Sequence, residues 1–202
     1  MDEIVKQAMA KWPNVPAVFG WLGLDRRGQW LIKGERISNP VVADFIARNY
    51  ERDAQGRWYF QNGPQRVFVA PDYTPFVYRI AWEPGAPLRL EAHTGRSVTR
   101  VDGAWIDDAG IVLVATEHGI GMIDDHDLDR LLACFTDARG KPLAEDAIAA
   151  AIERLQGGGA AELYFTYRGS TVPVSAIAAG EVPEKFGFVA RPVQRAGQEE
   201  CY

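Results

Sequence analysis

Apolar positions along the chain fall into short stretches of two periods, and each period predicts an element. Ile4, Val5, Ala8, Met9 and Trp12 recur at helical spacing behind Asp2, which predicts a short capped helix stopped by Pro13 and Pro16. Residues 20–32 alternate as a strand pair turning at Asp25-Arg26-Arg27-Gly28, where the glycine supplies a positive φ. Ser38 or Asn39 is placed to cap a second helix with Pro40 at its first position, and Val41, Val42, Phe45, Ile46 and Tyr50 form its expected buried stripe. Residues 58–60 and 67–69 flank the turn Asn62-Gly63-Pro64, and 76–80 read as a further strand rich in aromatic and β-branched residues. Extended runs follow at 88–90, 98–101 and 104–106, with Asp102-Gly103 reading as a two-residue hairpin turn. Ala144, Ala147, Ile148, Ala151, Ile152 and Leu155 predict an amphipathic helix, opened by Pro142, Glu145 and Asp146 and closed by the glycines at 157–159.

The same order of elements recurs. Leu22, Gly28 and Ile32 of the first hairpin match Leu113, Gly119 and Ile123, 91 positions later, and Phe45 matches Phe135. The hairpin at 58–69 matches 163–174 at an offset of 105, and an inserted helix at 144–156 accounts for the longer spacing. The expected fold class is therefore α+β, with two tandem repeats of β-hairpin, helix and β-hairpin forming small antiparallel curved sheets packed on helices. The expected division is an N-terminal helix plus first module at 1–82, connecting strands at 83–110, a second module at 111–192 and a flexible tail at 193–202, with the seam at 83–87.

Composition narrows the class. Of 202 residues, 47% are hydrophobic and 24% charged, the balance of an ordinary globular chain. A net charge of −5 argues against a general nucleic-acid binder, which needs concentrated positive surface. The N-terminus has no long apolar run, and no stretch approaches the roughly 18 apolar residues of a membrane helix, so a cytoplasmic protein with no membrane association is expected. Cys134 and Cys201 have no metal spacing; Cys134, in an apolar segment, reads as a small buried hydrophobe, and Cys201 lies in the tail.

From Gly20 to about Trp105 the chain resembles an uncharacterised bacterial family, the domain of unknown function numbered 1285. The features occur in order: Asp25-x-x-Gly28-x-Trp30, Lys33-Gly34-Glu35-Arg36-Ile37, a helix with Phe45, Gln55-Gly56-Arg57-Trp58-Tyr59-Phe60, Thr74-Pro75-Phe76 and Leu88-Arg89-Leu90-Glu91. That resemblance implies repeated motifs of short sheets and helices and a signalling or ligand-binding role. The opening residues, 1–8 with Lys11-Trp12-Pro13-Asn14-Val15-Pro16, look like the start of a proteobacterial family of unknown function. Neither resemblance supplies a catalytic residue.

The densest set of potential ligands is Asp124-Asp125-His126-Asp127-x-Asp129. A calcium loop counted from Asp125 would need Gly and Glu where Arg130 and Thr136 stand, so capping of a following helix is the expected role. Glu117-His118-Gly119 and His93 read as exposed turn residues, and three histidines without H-E-x-x-H spacing predict no metal site. No phosphate-loop, dinucleotide or nucleophile-elbow motif is present, so no cofactor and no catalytic residue are expected. The remaining concentration is Arg and aromatic, and Arg79, Arg100 and Trp105 are the expected contacts for a small anionic ligand at the seam between repeats. The sequence thus predicts a non-enzymatic ligand-binding or regulatory module. The alternatives are an enzyme using His93, His118 or His126 with a nearby carboxylate, or a structural partner in a larger assembly, which a protein partner would complete.

Overall fold

A computed structural model describes residues 1–12, 15–83 and 85–194; Pro13 and Cys201 lie outside that set, as does most of the expected tail. The fold is α+β, and the chain divides into two compact units, each with a predominantly antiparallel sheet packed against helices. Of the described residues, the first unit holds 1–12, 15–75, 93–95 and 186–194, and the second holds 76–83, 85–92 and 96–185.

The first unit contains α1 (Glu3–Lys11), β1 (Val18–Leu24), β2 (Trp30–Ile32), β3 (Glu35–Arg36), α2 (Pro40–Arg48), β4 (Tyr50–Arg52), β5 (Trp58–Asn62) and β6 (Gln65–Pro71). Its sheet runs β3-β2-β1-β6-β5-β4. All pairings are antiparallel except β1 with β6, where Leu22 lies beside Val69. One sheet face buries Leu22, Leu24, Trp30, Tyr50, Trp58 and Val69; the other buries Tyr59 and Phe68 at its β5–β6 end, where Phe19 stacks on Phe68 at 4.5 Å. His93, expected as an exposed turn residue, packs its ring 5.0 Å from Trp30 and 5.9 Å from Tyr50. Asn39 caps α2 by accepting the N–H groups of Val41 and Val42. The helix is short, so of its expected stripe only Ile46 is buried on it; Val41 stays 73% exposed, and Tyr50 has passed into β4.

The second unit contains β7 (Phe76–Ala81), β8 (Arg89–Ala92), β9 (Val101–Asp107), β10 (Val112–Thr116), β11 (Gly119–Ile123), α3 (Leu128–Leu132), β12 (Phe135–Thr136), α4 (Glu145–Gln156), β13 (Tyr164–Tyr167), β14 (Ser170–Ile177) and α5 (Val182–Phe186). Its sheet runs β12-β13-β14-β9-β10-β11-β7-β8, with β14–β9 and β11–β7 parallel. The parallel neighbours are an addition to the expected antiparallel sheets; each joins strands far apart in sequence, which alternation along one strand cannot reveal. Residues 21–32, 58–69, 112–123 and 163–174 all form antiparallel pairs.

Two expectations change here. Asp102-Gly103 is no turn: both lie inside β9, and the glycine leaves room for the Trp105 indole, whose Cη2 would sit 2.4 Å from a Cβ at 103. Phe135 is buried at 1% but on strand β12, opposite Phe165, whereas Phe45 is half-buried on helix α2. The two phenylalanines are not equivalent anchors. Phe135 takes the place in its sheet that Tyr50, paired with Phe60, takes in the first.

Four tight turns share one construction. Asp25, Asp53, Asp107 and Asp137 each accept, on one carboxylate oxygen, the N–H groups two and four residues on. In each the glycine three residues on has φ between 73° and 82°. An aspartate that satisfies two loop donors, followed by a residue without a Cβ, fixes such a turn locally.

Candidate functional site

The register of β11 on β7 builds a charged corner. Ile123 lies beside Tyr78, and the next N–H, that of Asp124, donates to the Tyr78 carbonyl at 2.9 Å. This pins Asp124 next to Arg79, whose Nε donates to Asp124 Oδ2 at 3.3 Å. The other oxygen, Oδ1, accepts the backbone N–H of His126 at 3.2 Å and lies 3.0 Å from His126 Nδ1. That same ring nitrogen is 3.0 Å from Asp125 Oδ1. Behind the corner, Asp127 accepts the Ile80 N–H at 2.8 Å and Arg130 Nη1 at 3.0 Å, which ties the turn at Asp125–Asp127 to β7.

Asp124 is the buried hub, its side chain 7% exposed; Arg79 and His126 face solvent at 54% and 64%. Burial disfavours the Asp124 anion, but the backbone and side-chain hydrogen bonds of His126, that of Asp125 and the Arg79 charge outweigh it and hold the carboxyl below its ordinary 3.8. The acidic run was expected only to cap a helix. Asp124 does cap, since its bond to the His126 N–H repeats that of Asn39 to Val41. Asp127, at the head of α3, instead spends its carboxylate on β7 and Arg130. Asp124, Asp125 and His126 keep their ligand atoms within 4.8 Å, a mixed nitrogen and oxygen set of the type divalent cations accept.

Of the expected contact residues, Arg79 and Trp105 lie on the second sheet and Arg100 just before it, and the three do not converge. Trp105 sits mid-β9, half-buried, in a cross-strand row with Leu113, Met122 and Val77, with Lys185 Nζ 5.7 Å from its ring. Arg79 lies two residues past Val77 on the same face. Arg100 precedes β9, at the end where β10 finishes, and pairs with Asp102 at 2.9 Å. Arg79 lies at the opposite end, where β11 finishes. Beside Arg100 a second group forms. Glu117 takes the N–H and hydroxyl of Thr99 at 2.6 and 2.7 Å and the Arg100 N–H at 3.4 Å, while His118 Nε2 is 2.9 Å from the Ser97 carbonyl. Those residues, expected to be idle in an exposed turn, latch the segment entering β9. Burial again opposes the charge on Glu117, and the Thr99 and Arg100 hydrogen bonds prevail, leaving its carboxyl below the ordinary 4.5.

A groove of about 540 Å³ lies along α4, lined by Leu143, Ala147, Ala151, Arg154, Ala161 and Glu162 among others. No histidine lines it, so the histidines and the groove are separate features.

The architecture matches that of a solved bacterial protein. A DUF1285 family protein from Silicibacter pomeroyi DSS-3 superposes with a TM-score of 0.53 at 18% identity, over 88% of this chain and 97% of the other. A DUF1285 family protein from Shewanella baltica OS155 gives a TM-score of 0.42 at 16% identity, over 57% of this chain and 90% of the other. By sequence, residues 1–193 match a family model described as "Protein of unknown function (DUF2946)", and the chain belongs to that family. No curated protein matches the chain. Among the described residues no helix is long and apolar enough to cross a membrane.

Proposed function

We propose that the protein is a non-enzymatic binding or regulatory module built by duplication, and that its contact surface for an anionic group is the corner around Arg79. The duplication reading rests on strand order. The first sheet runs β3-β2-β1-β6-β5-β4; read in reverse, the second contains β11-β10-β9-β14-β13-β12, with the same antiparallel and parallel neighbours throughout. The copies then match β1 to β9 and Asp25 to Asp107, so the first hairpin aligns at an offset of 82 rather than 91. The later hairpin keeps its offset of 105.

One observation carries the site. Arg79 comes from β7, a strand with no counterpart in the first sheet, and at the capping position where the first copy has Asn39 the second has Asp124, which holds Arg79 and His126. The shared scaffold does not require this corner. A buried carboxylate orienting two solvent-facing donors suits recognition of a carboxylate or phosphate on a partner or small ligand. It does not enclose a substrate, so the acid–base alternative loses support, although His126 and Asp124 are within hydrogen-bond reach. A thermal-shift series with phosphate, citrate and acetate on wild type, Arg79→Ala and Arg100→Ala tests the reading. Stabilisation lost in Arg79→Ala and kept in Arg100→Ala is the expected result. Stabilisation by divalent cations alone would refute an anion site and assign the corner to Asp124, Asp125 and His126 as ligands.

A further inference from the structure

A second surface, in the first unit, has the marks of a protein-docking face. Opposite the core side of that sheet, one row crosses four strands: Arg36, Leu31, Gly23 and Ala70 are successive cross-strand neighbours. The adjacent row pairs Trp21 with Lys33, whose N–H donates to the Trp21 carbonyl at 2.8 Å and whose Nζ lies 4.0 Å from the indole centroid. Trp21 is 52% exposed, and Lys33 and Arg36 are exposed as well.

Gly23 is what the fold does not explain. Its φ is outside the left-handed region, so its backbone asks for no glycine. A Cβ there would meet the Ala70 carbonyl at 3.5 Å and Leu31 Cβ at 3.7 Å, ordinary contact distances. Gly103 and Gly121 differ, because a Cβ on either would run into an aromatic ring at 2.4–2.5 Å. A strand-interior glycine weakens its own strand; the β1 irregularity against β6 ends at Leu22, and Gly23 itself is in register with Ala70, so an open backbone that another group can approach is the reading that fits it.

At the Trp21 end of this face the exposed charges, Lys33 and Arg36, are both positive. Glu35 alternates to the other face with Ile32, and the Asp25 carboxylate is taken up by the Arg27 and Gln29 N–H groups. Asp72 lies beyond Ala70, at the Leu24 end of the row and away from Lys33. Among the described residues neither Lys33 nor Arg36 has an ion-pair partner. An exposed sheet face encloses no small molecule, which favours a partner segment over a metabolite. Two cations on a chain of net charge −5 match a few carboxylates rather than a phosphate polyanion.

We infer that this face binds an acidic peptide segment of a partner protein, seating an aromatic side chain on the Gly23–Ala70 floor beside Trp21 and placing carboxylates at Lys33 and Arg36. The test is an NMR titration of the full chain with a soluble ten-residue peptide carrying one phenylalanine flanked by glutamates, and with its counterpart carrying lysines instead. The glutamate peptide is expected to shift the Trp21 indole and Gly23 amide signals. Lys33→Asn with Arg36→Glu should weaken it on the order of tenfold or more. Gly23→Val should abolish the shifts without lowering the urea midpoint. Equal binding of the lysine peptide, unchanged affinity in the charge variant, shifts confined to other residues, or no binding at millimolar peptide would each overturn the inference. So would a lowered urea midpoint in Gly23→Val, which would return the glycine to the fold.

Discussion

Alanine placed at Gly121 and at Gly23 should move stability in opposite directions, although both are strand-interior glycines with ordinary φ. At Gly121 the new Cβ would lie 2.5 Å from Tyr78 Cε2 and 2.7 Å from the Phe76 carbonyl oxygen. The ring cannot step aside. Tyr78 is fully buried, and its hydroxyl is held at 2.7 Å to Thr116 Oγ1 and 2.9 Å to the Gly119 carbonyl, which it donates to. The carbonyl belongs to the neighbouring strand of the parallel pair β7–β11. Overpacking of this kind costs about 1–3 kcal/mol, and losing the tyrosine hydrogen bond adds about 1 kcal/mol. Gly121→Ala should therefore cost about 3 kcal/mol, a fall in Tm of roughly 6–12 °C for a chain of this size. Gly23→Ala meets only contacts of 3.5 Å and beyond, and should gain about 0.5–1 kcal/mol from lost unfolded-state freedom. Urea melts followed by near-ultraviolet circular dichroism read both. A Gly121→Ala midpoint equal to wild type, or a Gly23→Ala midpoint below it, would refute the packing argument.

Phe135→Ala should cost about 3–5 kcal/mol and Phe45→Ala clearly less, because only the first ring is fully buried; equal urea midpoints would contradict this. Asp124 and Glu117 are held below their ordinary 3.8 and 4.5, so their contribution is present above those values and is lost as pH falls through the lower folded-state pKa; stability should drop below about pH 4, and Asp124→Asn should flatten that drop. Burial pushes the Cys134 thiol up to about 12, so peptide mapping after native iodoacetamide treatment at pH 8 should find Cys134 unmodified until urea is added. Addition of EDTA should leave the Tm unchanged, and a fall would assign a structural role to a metal at Asp124, Asp125 and His126.

The strands and helices were legible in the sequence wherever alternation met a specific turn. The hairpins at 21–32, 58–69, 112–123 and 163–174 and the helix at 145–156 follow from that combination. Relations between strands were less legible. Apolar residues at period two match any other such strand, so the 20–32 hairpin could be laid on 112–123, one strand out of step with the order in the sheets. The turns were the sharper signal: Asp-x-x-Gly at 25, 53, 107 and 137 depends on a carboxylate and a positive φ at fixed spacing, which apolar matching ignores. Asp102-Gly103 misled because a glycine serves a turn and a neighbouring indole equally well. The candidate site was half visible. Arg79 and the acidic run each stood out, but the contact between them spans 45 residues and exists only because β7 adds in parallel to β11.

The first unit is not finished by the residues that begin it. Arg52 donates to the Gly187 carbonyl, Val189 N–H donates to the Gly56 carbonyl at 3.0 Å, and a Cβ on Gly56 would strike the Gly187 backbone. The turn at Asp53–Gly56 is thus clasped by a segment made some 130 residues later. On the ribosome the first sheet must wait for residues 187–189 to emerge before this clasp can form, since synthesis is vectorial and proceeds at about 5–20 residues per second. The second unit, contained within 76–185, carries no such debt to the C-terminus. Maturation in the cell would then run against the order of translation, with the later-made unit able to settle first and the N-terminal one sealed last.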